Sequence, residues 1–114
     1  MTCPAQGGQL LTEYTAFRTR LKPGLEEAYD QAHAEVWPEL VAAQRSLGIE
    51  HWLIFRHGVE LFHVVECDDF DGATTALAKY PIEQRWQAEM AQYVMVNELG
   101  TGAAVDRMHL VYRR

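Results

Sequence analysis

The chain is poor in the residues that make disulfides and covalent serine chemistry. Its 114 residues include two cysteines, Cys3 and Cys67, far apart in sequence, and one serine, Ser46. A small secreted domain held by disulfides would need more cysteines. Neither residue type sits in a nucleophile motif, so covalent serine catalysis is excluded by count. Basic clusters are equally scarce. Net charge is −6, and the longest Lys/Arg run is the terminal pair Arg113–Arg114. A phosphate backbone or an anionic membrane calls for a concentrated positive face, so neither is expected as a partner. No apolar run approaches the ~18–20 residues that span a bilayer. Met1 to Gln9 lacks the basic start and apolar stretch of a signal peptide. Gly100-Thr101-Gly102 is too short for a phosphate loop and is not set between a strand and a helix. Together these absences predict a soluble, reduced, cytoplasmic protein.

With 48% hydrophobic and 23% charged residues, the composition that remains is that of a globular domain. A chain of this length buries roughly two-thirds of its unfolded surface, enough for a core without metals or disulfides. Residues 1–9, small and polar, are expected to form a flexible tail, and residues 10–114 a single domain.

Thr12, Tyr14, Thr15, Phe17 and Thr19 predict a strand over Leu10–Leu21, closed by Lys22-Pro23-Gly24. Leu25, Ala28, Ala32 and Val36 recur at helical intervals. Pro38 divides this helical run, so one helix should end near Val36 or Trp37 and a shorter one should start at Pro38. Gly48 is its natural stop. His51–Arg56 and Val59–Glu66 are β-rich, with His57-Gly58 as the tight turn between them. Asp68–Asp71 offers caps for a helix through Tyr80. Pro81 opens another helix, running to about Val96. Asn97–Val105 reads as a loop and Arg107–Tyr112 as a last strand.

The order is β-α-β-β-α-β, an α+β ferredoxin-like sandwich with helices on one face of a four-stranded sheet. Large apolar residues fall in both phases of the middle strands. Trp52 and Ile54 alternate with Leu53 and Phe55, and Phe62 and Val64 with Leu61 and Val65. A sheet apolar on both faces predicts a second copy on the open side, a homodimer of the dimeric α/β barrel type.

Tyr29, His33 and Trp37 stand four residues apart, in a row along the first helix. The row lies beside the apolar stripe, so these side chains are expected at the margin between core and solvent. An imidazole there exchanges protons near neutral pH, and aromatics beside it can stack on a sugar ring. On spacing alone, a histidine among aromatics on such a helix is more often a boundary packing residue than a catalyst. His51 and His63 fall on adjacent strands near His33, the raw material of a metal site. No H-x-H, HExxH or C-x₂-C spacing supports one, so no metal is expected. His57 reads as a turn residue. Trp52 and Trp86 fit either core burial or a sugar platform. Asp30, Glu35 and Glu39 read as solvated helix charges.

Tyr29-x-x-x-His33-x-x-x-Trp37-Pro38-Glu39-Leu40 resembles the signature of the L-rhamnose mutarotase family. Gly48, the strand from Trp52 to Phe55, Leu61-Phe62, Val65-Glu66, Arg85-Trp86 and Met90 follow in the same order, so the resemblance runs from about Phe17 to Tyr112. It implies a ferredoxin-like dimer that interconverts the α and β anomers of a deoxy-hexose without a cofactor. It further implies His33 as proton donor, with Tyr29, Trp52, Trp86 and Gln87 contacting the sugar. Position 52 is usually Tyr in the enteric rhamnose enzymes and is Trp here; position 87 is Trp there and Gln here. The hairpin before Leu61 is also shorter. These departures touch ring recognition more than chemistry, which leaves L-fucose or a related sugar open beside L-rhamnose.

Mutarotation opens the ring by protonating the ring oxygen and deprotonating the anomeric hydroxyl, with the roles reversed on closure. His33 is the expected acid, and its partner base is not identifiable from the chain. Tyr29 is confined to orientation, since a phenol with pKa about 10 is a poor base at pH 7. Two rival readings share the architecture: a small monooxygenase or haem-degrading enzyme, and a non-catalytic sugar-binding module.

Overall fold

Alternating β-branched and aromatic residues put β1 at Tyr14–Arg20 in the computed structural model, which describes residues 13–95 and 106–114. The expected tail and the start of the first strand at Leu10 lie outside those residues. After the turn at Lys22-Pro23-Gly24 come α1, Glu26–Ala34, and α2, Pro38–Ser46. The first helix stops earlier than Val36. A residue before proline is pushed out of the helical region by the pyrrolidine ring, and Trp37 accordingly sits at φ −55°, ψ 126°. Gly48 ends the second helical piece at φ +90°, a conformation that suits glycine.

The central hairpin is longer than its β-rich cores: β2 spans Ile49–His57 and β3 Glu60–Cys67. His57 pairs with Glu60, so the two-residue loop is Gly58-Val59 rather than His57-Gly58. Gly58 takes the positive φ of +62° that such a loop demands. Asp69 caps α3, Phe70–Leu77, by accepting from the Gly72 N–H at 3.0 Å. Pro81 opens α4, Pro81–Met90, which ends well short of Val96. The chain turns there because the following backbone is used elsewhere. Tyr93 O accepts from Lys22 N–H, and Met95 N–H donates to Arg20 O. The last strand, β4, covers only Asp106–Met108, matched to Ala16–Arg18 of β1, and not the expected Arg107–Tyr112.

The strands form one antiparallel sheet in the order β2-β3-β1-β4, the ferredoxin-like arrangement. Phe17, Leu61, His63, Val65 and Cys67 face the helices and are buried. Leu40, Phe70, Leu77, Ile82, Trp86 and Met90 close the core from the helical side. On the opposite face the pairing aligns Leu53, Val64, Ala16 and Met108 in one cross-strand row. Leu53 and Phe55 there are more than half exposed, at 53% and 58%. Both faces thus carry apolar side chains, as the alternation predicts. Cys67 is a buried free thiol; Cys3 lies outside the described residues.

Candidate active site

The row Tyr29, His33, Trp37 does not stand at the margin as a set. Tyr29 is a core residue at 4% exposure, while Ala28, expected in the apolar stripe, is exposed. The helix therefore presents its large aromatic, not its small alanine, to the core, where more apolar area can be buried. Burial pushes the Tyr29 phenol well above its ordinary pKa, with Asp30 adding to the effect. It stays protonated at neutral pH. Asp30 itself receives both Nε and Nη2 of Arg56 at 2.8 and 2.6 Å, tying α1 to β2. That guanidinium holds the Asp30 carboxyl below the usual range.

His33 sits on the Tyr29 ring, with centroids 4.2 Å apart. Its Nδ1 lies 3.1 Å from the Tyr29 carbonyl oxygen, one turn earlier. A carbonyl only accepts, so Nδ1 carries the proton and Nε2 is the atom left for chemistry. Burial lowers the His33 pKa below its ordinary value, opposed by the Tyr29 carbonyl and the Asp30 charge. The resting ring at pH 7 is therefore mainly neutral, with a lone pair on Nε2. Trp86 meets this imidazole edge-on at 5.2 Å and meets Trp37 edge-on at 5.0 Å. Edge-to-face pairs of this kind fix ring orientation.

His33 and Trp86 border a cleft of about 430 Å³ between the first two helical segments, β2 and α4. Such a volume lies inside the ~300–1,000 Å³ usual for small-molecule sites. His33, Trp52 and Trp86 line it together with Val36, Leu40 and Ile54. Gln44, Arg45 and Glu50 add a polar side that the sequence reading did not identify. The pairing of β2 with β3 shifts between Ile49 and His51. A bulge of this kind re-aims the intervening side chain, here Glu50. No residue type at position 50 signals it; only strand register does.

The remaining expected contacts fall elsewhere. Tyr29 supports His33 from behind and is not among the lining residues. Gln87 is exposed and donates to Glu83 Oε2 at 2.7 Å, also outside the lining. Burial raises the Glu83 pKa, which that amide partly offsets. His51, by contrast, does line the cleft, with its Nδ1 2.7 Å from Glu66 Oε1. Among the described residues no three His, Cys, Asp or Glu side chains come together as a metal-binding group.

His63 is buried at 8% exposure, and its pKa falls to about 4 through burial and the nearby charge of His33. The sign follows from linkage: a histidine with a depressed folded pKa binds protons in the unfolded state first. Its stabilisation is complete above the unfolded value of about 6.5 and is lost as pH falls toward 4. Urea unfolding should thus show a loss of about 2–3 kcal/mol between pH 7 and pH 4.5 from this group. His63→Gln removes that part of the acid sensitivity, and an unchanged slope in the variant contradicts the assignment.

The sequence and the fold match those of known proteins. The statistical description of the L-rhamnose mutarotase family matches residues 14–113. An L-rhamnose mutarotase of Brucella anthropi is 33% identical over 82% of this chain and 90% of its own length. One from Verminephrobacter eiseniae is 37% identical over 79% of this chain and 86% of its own. Two solved structures share the fold. An L-rhamnose mutarotase from Formosa agariphila superposes with TM-score 0.75 at 24% identity, covering 90% of this chain and 99% of that one. A type-II polyketide cyclase from Streptomyces glaucescens does so with TM-score 0.66 at 18% identity, covering 90% and 96%. On its sequence, from Tyr14 to Arg113, the chain belongs to the L-rhamnose mutarotase family.

Proposed function

We propose that this chain interconverts the α and β anomers of L-rhamnose or a closely related deoxy-hexose, with His33 Nε2 as the proton-transfer atom. Family membership supports the reaction. The observation that carries the residue assignment is the Nδ1–H bond to Tyr29 O, which leaves Nε2 of a cleft-lining imidazole unpaired by that contact. Ring opening moves one proton from the anomeric hydroxyl to the ring oxygen while the bond between that oxygen and the anomeric carbon breaks. Both oxygens are bonded to the same carbon, so one nitrogen can serve them in turn. Neutral Nε2 takes the hydroxyl proton, and the imidazolium so formed gives it to the ring oxygen. The open aldehyde rotates, and the reverse sequence closes the ring on its other face.

Trp52 and Trp86 supply apolar surface for the sugar, and Tyr29 orients His33. A second copy on the exposed sheet face that carries Leu53, Phe55 and Met108 completes the assembly as a homodimer. Among the described residues no helix is long and apolar enough to cross a membrane, and a cytoplasmic sugar enzyme is the reading consistent with this.

The pH dependence follows from the lowered His33 pKa. Anomer exchange should be flat at neutral and mildly alkaline pH and should fall on acidification through a midpoint below about 6.5. NMR line-shape or saturation measurements across pH 5–8 read this directly. A rate that rises toward acid pH instead makes the imidazolium the entry form and overturns the proposed order of transfers.

A further inference from the structure

Trp52 forms part of the cleft wall, but its one polar atom is engaged outside it. An indole N–H can only donate, and this one donates to Nδ1 of His63 over 3.1 Å. Nδ1 must therefore hold the lone pair, which puts the imidazole proton on Nε2 in the neutral ring. Nε2 lies 3.0 Å from Thr19 Oγ1, and the hydroxyl accepts. Donors and acceptors thus match along the whole chain from Trp52 through His63 to Thr19. The strand register builds it. His63 is directly opposite Phe17 on β1, and their rings stack at 4.4 Å and 9°. Trp52 and Thr19 are its diagonal neighbours on β2 and β1, since they pair with Val65 and Leu61. His63 itself does not line the cleft. A buried polar chain satisfied in this way rigidifies what it holds.

We propose that His63 is a positioning residue for substrate: it fixes the plane of the Trp52 indole and withdraws its N–H from the cleft, so that this wall meets an apolar part of the sugar rather than a hydroxyl. The role in substrate binding rests on the mutarotase reading. Selection at this wall then favours a sugar presenting C–H groups or a methyl over one presenting an additional hydroxyl. Such a hydroxyl would lose its water without finding a partner at the indole. Polar recognition is left to His33, Gln44, Arg45, Glu50 and His51, which share the lining of the cleft.

Two measurements test this independently. In the sugar-free protein, nitrogen-detected NMR of the imidazole at pH 7 should show Nδ1 of His63 unprotonated and Nε2 protonated, with the Trp52 indole proton slow to exchange. A proton on Nδ1, or a fast-exchanging indole proton, overturns the proposal whether or not any sugar is turned over. In anomer exchange, His63→Leu should raise KM about tenfold, or ~1.4 kcal/mol, and leave kcat within about twofold. His63→Gln, which can accept from the indole and donate to Thr19, should restore KM. In a Trp52→Phe background, His63→Leu should have no further effect on KM, because the two act through one bond. An unchanged KM in His63→Leu, or an equal rise in both backgrounds, overturns the positioning role. Absence of exchange with every deoxy-hexose in the wild type fails the mutarotase reading instead, and the NMR result still decides whether His63 holds Trp52.

Discussion

His33→Ala should reduce anomer exchange by roughly 10²–10⁴-fold, the usual worth of a positioned acid/base group. The variant should remain folded, because His33 is only half-buried and the core aromatic beneath it, Tyr29, is retained. The loss should appear in kcat more than in KM, since proton transfer acts in the transition state. Added imidazole should recover part of the rate by entering the vacated space. Tyr29→Phe is the informative companion. It keeps the ring under His33 and the backbone carbonyl that sets the tautomer, so it should retain most of the activity. A large kcat loss in Tyr29→Phe would assign the phenol a chemical role that its raised pKa argues against.

Trp86→Ala should be the most destabilising single change at the site, costing about 3–5 kcal/mol. Trp86 is 8% exposed and stands edge-on to both His33 and Trp37. Removing it deletes a large apolar area and opens space beside the His33 imidazole. Urea unfolding should show a lower midpoint at unchanged slope, the signature of lost stability rather than a changed unfolded state. Activity should fall as well at temperatures where the variant is folded, because His33 loses the ring that sets its orientation. Trp86→Phe should recover part of the stability. A loss below about 1 kcal/mol in Trp86→Ala would mean that the indole is not packed as described.

Punctuation made much of the fold readable. Pro38, Gly48, the Gly58 turn and Pro81 each act through backbone geometry that depends on a residue and its immediate neighbours, and each falls where an element starts or stops. Alternation along Trp52–Phe55 and Leu61–Val65 likewise marks two apolar sheet faces without reference to partners. The ends of α1 and α4 were less readable. Trp37 is set by the proline after it, and α4 is cut short because Tyr93 and Met95 bond to the end of β1.

At the site, the row with Tyr29 and Trp37 marks His33 as a candidate, but it does not give the orientation of that row. Which side of α1 faces inward depends on the sheet beneath it. The link from Trp52 through His63 to Thr19 requires the register of three strands, which a local pattern does not contain. Glu50 reaches the cleft at an irregularity in the same pairing. Trp52 shows the consequence most clearly. Its residue type suggests a hydrogen-bond donor for the sugar, whereas its diagonal neighbour on β3 takes that donor out of the cleft.

The central claim, catalysis of anomer exchange by this chain, is tested most directly by NMR saturation transfer on L-rhamnose and L-fucose side by side, with and without the protein. Saturating one anomer's proton should attenuate the other's signal in the presence of wild-type protein for at least one of the two sugars, and His33→Ala should abolish that transfer. No transfer above the protein-free rate with either sugar would contradict the claim.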